Sequence, residues 1–238
     1  MLTRWRRWSI SAARSIHGSS TPSSIARATP NHGHRAVARL EAAGVLDAIV
    51  TQNVDGLHSA AGARGVVELH GNLDRVRCLD CGDLTERAAL DTRLQAANPG
   101  WVARATAVHP DGDVELADAA VAAFRPVDCE RCGGLLKPDV VFFGETVPAA
   151  RVQQCFALVE AARALVVLGS SLTVMSGYRF VLRAAKHGIP VAIVNQGATR
   201  GDDKAVLTLD APLGQVLPEV ADLIQRRSSV GLTGRQAG

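Results

Sequence analysis

From Asn31 onward, apolar residues recur with two periods, about three to four residues in some stretches and short unbroken runs in others. "PNHGHRAVARLEAAG" predicts a helix, with Asn31 as N-cap, Val37 and Leu40 on one face, and Gly44 as the C-terminal stop. "VLDAIVTQN" follows as a short buried strand, then a polar turn, a short helix around Leu57 to Ala61, and a strand over "GVVELHG". After an interval the alternation resumes. It gives strand "DVVFFG", helix Ala149 to Arg163, strand "ALVVLG", helix Gly177 to His187, strands "PVAIVN" and "AVLTL", and a last helix Leu213 to Arg226. Apolar runs alternating with amphipathic helices imply a parallel sheet covered on both faces, with right-handed crossovers. The expected fold class is α/β, a Rossmann-type open parallel sheet.

The interval, residues 72 to 136, breaks that rhythm. It opens on "CLDC" (Cys78, Cys81) and closes on "CERC" (Cys129, Cys132), each followed by Gly, with Ala-rich helical stretches between them at 85–97 and 117–124. Two C-x2-C pairs in a chain with no secretory opening read as a four-cysteine zinc site more readily than as disulfides, redox pairs or iron-sulfur ligands. The interval is therefore expected to be an inserted zinc-binding module holding one structural Zn2+. The fifth cysteine, Cys155, lies alone in a helical stretch. Four thiolates close a tetrahedral shell, so His70, eight positions before Cys78, is spare. By itself it could be an ordinary strand histidine.

Composition narrows the class. A chain of 238 residues with 47% hydrophobic content suits one large domain carrying a small insertion. No apolar run approaches the roughly 20 residues of a membrane helix, and the opening lacks a signal h-region. Residues 1–40 hold seven arginines and no acid, leaving the remaining 198 with 19 basic and 23 acidic side chains. With no basic stripe on the body, neither nucleic acid nor membrane is an expected partner. Residues 1–28, rich in Arg, Ser and Trp, read as a disordered or mis-called N-terminus, and residues 228–238 as a frayed tail. An Arg-rich, acid-poor start fits an organellar presequence. The excess of 23 arginines over three lysines favours a GC-rich bacterial gene. Cytoplasmic is the first expectation and mitochondrial the alternative.

Three strands end in small or amide-bearing residues: Gln52, Asn53 and Asp55 after the first, Gly169, Ser170 and Ser171 after "VVL", and Asn195 and Gly197 in "AIVNQG". Ligands of open α/β sheets bind at the carboxyl ends of the strands, so these sets should converge on one cleft. Glycine lets a backbone approach a phosphate or ribose, and hydroxyls and amides supply hydrogen bonds. Each set alone also fits an ordinary strand-to-helix turn.

"TQNVDGLH", "ELHG", the two C-x2-C pairs, "LKPDVVFFGE", "LGSSLTV" and "AIVNQG" stand in the order found in the sirtuins, and the chain resembles that family from about Pro30 to Ile224. The resemblance implies an NAD-dependent protein lysine deacylase that releases nicotinamide and O-acyl-ADP-ribose and takes an acyl-lysine protein or peptide as substrate. The similarity is nearest to the class with bacterial and mitochondrial members. In that chemistry the acyl oxygen attacks C1′ of the nicotinamide ribose, nicotinamide leaves, and a base assists a ribose hydroxyl. A histidine with an ordinary pKa near ~6.5 suits the proton transfer, and His70 is the one implied.

Cofactor contacts implied by the same resemblance are Gln52, Asn53, Val54 and Asp55 around the nicotinamide and its ribose. Gly169, Ser170, Ser171, Asn195, Gln196, Gly197 and Leu213 would lie on the adenosine side. Residues 29–71 and 137–227 would form the NAD-binding domain, and a strand Val140 to Phe143, with Gly144 and Glu145, would pair with the substrate backbone. The family's opening glycine-rich strand-loop and its Ile-Pro-x-(Phe/Tyr)-Arg segment are not recognised ahead of Pro30. Two alternatives therefore accompany the deacylase reading: a truncated sirtuin-like chain acting as a binding module, and a protein ADP-ribosyltransferase.

Overall fold

The computed structural model describes residues 28–101, 105–108, 114–142 and 144–233. The expectations for residues 1–27 and for Phe143 lie outside that set. In chain order the elements are α1 (His32–Ala42), β1 (Ile49–Thr51), α2 (Leu57–Ala60), β2 (Val66–Glu68), β3 (Gly71–Cys78), β4 (Leu84–Glu86), α3 (Arg87–Ala97), β5 (Ala105–Val108), β6 (Val114–Leu116), α4 (Asp118–Ala123), β7 (Leu136–Val140), α5 (Ala149–Ala161), β8 (Leu165–Leu168), α6 (Met175–Lys186), β9 (Val191–Asn195), β10 (Leu207–Asp210) and α7 (Leu213–Thr233). The chain divides into two compact units. One is Gly71–Val140, and the other joins Thr29–His70 to the chain from Val141 onward.

The second unit carries the parallel strands of a Rossmann-like α/β fold. β8, β9 and β10 form a three-stranded parallel sheet in the order β10-β9-β8, and β1 pairs in parallel with β2. The single expected sheet is thus present as two pieces among the described residues. Helix α1 starts where the sequence placed it. Asn31 accepts the His34 N–H at 3.1 Å, and the His34 ring answers the Asn31 backbone in a capping box. Its apolar face, Ala36, Val37 and Leu40, packs on Leu217 and Ala221 of α7. At its far end the Glu41 carboxylate accepts the backbone N–H groups of Arg64 and Gly65, fixing the entry to β2.

The larger core of this unit gathers Leu69, Cys155, Val181, Val191 and Ile193, all essentially without exposure, from α5, α6, β9 and the turn after β2. Burying each large aliphatic side chain there contributes about 1.5–3 kcal/mol. Cys155 is one of these packed side chains, and burial pushes its thiol up to about 11.

The expected strand over "GVVELHG" is shorter than its pattern. β2 stops at Glu68, Leu69 and His70 form a turn, and Gly71 opens a different strand. Gly71 makes the change of direction possible. Its φ is 89°, and a Cβ there would collide with the Asp139 carbonyl. The expected strand "DVVFFG" is also displaced: β7 ends at Val140 and pairs antiparallel with β3. Beyond it the backbone is committed to a turn, in which the Glu145 carboxylate accepts the Phe142 N–H at 3.0 Å and Gly144 adopts φ 83°. The last helix is longer than expected and continues to Thr233, into the stretch read as a tail, whose residues 234–238 lie outside the described set.

The Gly71–Val140 unit is built on the antiparallel sheet β4-β3-β7. Helices α3 and α4 fall close to the two Ala-rich stretches, and Leu90, Leu94 and Phe124 pack on Val76 of β3. Asp139, buried on β7, receives Arg77 at 3.1 Å and Arg75 at 3.4 Å from β3, so two guanidiniums offset the cost of burying one carboxylate.

Candidate catalytic and metal sites

The two cysteine knuckles have the same backbone. Cys78 accepts the N–H of Gly82 and donates its own to Asp83, and Cys129 does the same with Gly133 and Gly134, at 2.8–3.1 Å. Each turn needs a left-handed residue, supplied by Gly82 at φ 73° and Gly133 at φ 71°. The glycine after each C-x2-C is therefore a structural part of the knuckle.

All four Sγ atoms lie within 4.8 Å of one another. Cys78 Sγ is 3.5 Å from Cys132 Sγ, and Cys81 Sγ is 3.8 Å from Cys129 Sγ. Disulfide sulfurs would be about 2.05 Å apart. Four sulfurs at about 2.3 Å from a tetrahedral zinc stand about 3.8 Å from each other, so the donor set fits that metal. The thiols are electrostatically unequal. The Cys81 backbone N–H, more than any other group, draws Cys78 down to about 7, whereas donation to Cys81 chiefly holds Cys132 up to about 12. A divalent cation is what would allow the set to ionise together.

In the other unit, His70 sits in the turn after β2. Its Nδ1 is 3.0 Å from the Gln52 carbonyl oxygen, and its Nε2 is 3.0 Å from Ser176 Oγ. A carbonyl can only accept, so Nδ1 carries the proton and the neutral ring presents its lone pair at Nε2. Burial, more than anything else, lowers the pKa of His70 below its ordinary value. The Gln52 carbonyl opposes this, and the guanidiniums of Arg151 and Arg179 reinforce it. Arg151 also donates to the Leu69 carbonyl at 3.2 Å, which steadies the turn.

The three sets of strand-end residues lie at the carboxyl ends of β1, β8 and β9. Gln52 Nε2 lies 3.5 Å from Ser170 Oγ, which brings the first set to the second. The Arg200 N–H donates to the Ser171 carbonyl at 2.9 Å and ties the segment after β9 to the second. Asp55 accepts from Asn53 and from the Leu57 N–H, capping α2, so its carboxylate is engaged locally. Val54 is half-buried between them. Asn195 donates to the carbonyls of Gln196 and Gly197, shaping the turn at the end of β9.

Gly169 also has a packing role. Its φ is 60°, and the space a Cβ would need belongs to the Leu213 side chain, which would lie 2.8 Å away. Its smallness admits α7 here. Ser170 Oγ accepts the N–H of Leu172, a buried residue at φ 58°, which is costly backbone for a leucine. The Arg200 guanidinium stacks 4.4 Å over the Tyr178 ring and donates to the Thr173 carbonyl, holding this loop from outside. Amides and hydroxyls gathered at parallel strand ends fit a ribose or carboxamide ligand chemically.

Sequence reading missed Ser176, Gly177, Arg151 and Arg179. The only local signal was the Ser-Gly pair in the first turn of a helix, where glycine interrupts good helix formers.

The model for the Sir2 family matches residues 14–176, a span that begins ahead of Pro30. NAD-dependent protein deacetylase 1 of Streptomyces coelicolor is 58% identical over 201 residues, covering 84% of this chain and 67% of that relative. The human NAD-dependent protein lipoamidase sirtuin-4, mitochondrial, is 50% identical over 189 residues, covering 79% of this chain and 60% of that relative. A solved structure described as Sir2-p53 peptide-NAD+ superposes with a TM-score of 0.64 at 28% identity, covering 89% of this chain and 75% of the other. The strand-end amides, the turn histidine and the paired knuckles all lie in a chain that belongs to the Sir2 family, the sirtuins.

Proposed function

We infer that this chain is an NAD-dependent protein lysine deacylase acting on acyl-lysine proteins or peptides. One observation carries the reading furthest: His70 holds its Nδ1 proton on the Gln52 carbonyl, so the neutral ring has Nε2, which lies against Ser176 Oγ, as its basic atom. Bound NAD would supply an electrophilic ribose carbon with nicotinamide as its leaving group. His70 Nε2 would accept a proton from a ribose hydroxyl once Ser176 turns its own hydroxyl proton aside, and burial together with the Arg151 and Arg179 guanidiniums favours the neutral ring beforehand. Gln52, Asn53, Val54 and Asp55 would face the nicotinamide side. Gly169, Ser170, Ser171, Asn195, Gln196, Gly197 and Leu213 would face the adenosine side, with Gly169 also admitting Leu213.

Under this reading the Gly71–Val140 unit is the zinc module, with Cys78, Cys81, Cys129 and Cys132 holding a structural Zn2+ that has no open position for chemistry. The other unit is the NAD-binding domain. No described helix is long and apolar enough to cross a membrane. The bacterial relatives support a cytoplasmic protein and the sirtuin-4 relative a mitochondrial alternative. The test is nicotinamide release by purified protein with NAD and a panel of acetyl-, longer-acyl- and lipoyl-lysine peptides. Release that depends on both the peptide and NAD supports the reading, and peptide-independent transfer of ADP-ribose to protein replaces it.

A further inference from the structure

Ser176 Oγ stands between two acceptors. It lies 3.0 Å from His70 Nε2 and 3.3 Å from Gln52 Oε1, and it has one proton to give. Because the Gln52 carbonyl holds the Nδ1 proton, Nε2 is an acceptor in the neutral ring and a donor only in the charged one. The hydroxyl is buried, and the amide it reaches is confined. The Gln52 side chain lies so close over the start of α6 that a Cβ at Gly177 would fall 2.7 Å from its Nε2. On its far side the amide reaches Ser170 Oγ at 3.5 Å.

We propose that Ser176 is a positioning residue whose hydroxyl couples the protonation of His70 to the side chain of Gln52. With His70 neutral, the Ser176 proton points to Nε2 and the Gln52 oxygen goes without it. When Nε2 takes up a proton, that proton points to Ser176 Oγ and the hydroxyl turns to donate to Gln52 Oε1. Nothing is transferred beyond the one proton His70 has gained. The charged state then has a continuous run of donors, from Nε2 through Ser176 to Gln52 and on to Ser170. The charged groups facing His70 are the Arg151 guanidinium from α5 and the Arg179 guanidinium from α6, both favouring the neutral ring. Ser176 is the partner that accepts from the charged one.

The inference rests on the deacylase reading for its meaning, since Gln52 would then wall the nicotinamide pocket and tighten as the base captures its proton. Its test does not need turnover. In the full chain, the imidazole of His70 and the side-chain amide of Gln52 are followed by nitrogen-15 NMR across pH, in wild type, Ser176→Ala and Ser176→Thr. In wild type the Gln52 amide should shift with the same midpoint as His70. Ser176→Ala should lower the His70 midpoint by about one pH unit, the size of one hydrogen bond to a charged group, and uncouple Gln52 from it. Ser176→Thr should restore both.

A Gln52 amide that ignores His70 in wild type overturns the proposal without any variant. So does an unchanged His70 midpoint in a folded Ser176→Ala protein. Coupled titration in a protein that deacylates nothing sustains the coupling and sinks the functional reading. Deacylation without coupling does the reverse.

Discussion

The carboxylate of Asp80, in the first knuckle, fills the space beside Gly134, just past the second, and also accepts the Leu135 N–H at 3.3 Å. A methyl group at position 134 would sit on that carboxylate, separating the loops that carry the four thiols. Gly134→Ala is expected to lower zinc affinity at least tenfold and to reduce the melting temperature. Gly214→Ala, on open surface in α7, should leave zinc affinity unchanged and, by supplying a better helix former, should not lower the melting temperature. Competition with a zinc-binding dye measures the first effect and calorimetry the second.

Metal content gives a direct check on the knuckles. Cys129→Ala is expected to purify with little or no zinc, because three thiolates leave the tetrahedral shell open. Cys155→Ala, which removes a buried thiol of the other unit, should keep one zinc per chain. Elemental analysis of freshly purified protein distinguishes these outcomes, and zinc retained in Cys129→Ala defeats the assignment.

His70→Ala should reduce deacylation by about 10²–10⁴-fold, the usual contribution of a general base, with zinc content unaltered. The pH profile follows from the direction of the shift. Burial and two arginines lower the pKa below 6.5, so the base stays neutral and active at pH 6.5, and the acid limb should have its midpoint below that value. The same sign governs stability. A histidine whose folded pKa is depressed favours the fold while neutral, and this contribution is lost as pH falls from 6.5 through the lowered value. An acid limb with a midpoint above 6.5 would count against His70 as the base.

Glu41 holds the start of β2, the strand that leads into the His70 turn. Its carboxylate accepts from Arg64 and Gly65, and the backbone N–H of Arg64, chiefly, lowers its pKa below the usual 4.5. Glu41→Ala should destabilise the protein by about 1–2 kcal/mol, the worth of charge-assisted hydrogen bonds at an exposed position. Its contribution in wild type should be present above pH 4.5 and fade as pH falls through the lowered pKa. Urea denaturation at pH 7 and pH 3 should show the gap between wild type and variant shrinking in acid.

Much of this was readable along the chain because it was written in local terms. Asn31 announces a cap, Gly44 a stop, and the C-x2-C pairs a knuckle, and each acts within a few residues of itself. The apolar runs of β8 and β9 likewise carry their own periodicity. What escaped depended on partners distant in sequence. Gly71 reads as the end of a strand until the Asp139 carbonyl, 68 positions later, shows why only glycine fits where the chain turns into β3. Val141 and Phe142 have the composition of a strand, yet a nearby carboxylate and a glycine turn claim the backbone of Phe142. The contact of Gly169 with Leu213, 44 positions later, was equally invisible in the sequence. Ser176 had nothing to mark it until His70 and Gln52 stood on either side.

The equivalence of the two knuckles also bears on how the Gly71–Val140 unit forms. Each is a tight local turn with its own glycine, able to take shape on the microsecond scale of a hairpin. Cys78 and Cys132, however, are 54 positions apart, and closing a loop of that size costs about 4 kcal/mol of chain entropy. A metal held by one preformed knuckle would capture the other as it diffuses into range. The unit should then fold at a rate set by free zinc, with the ion serving as its nucleus as well as its clasp.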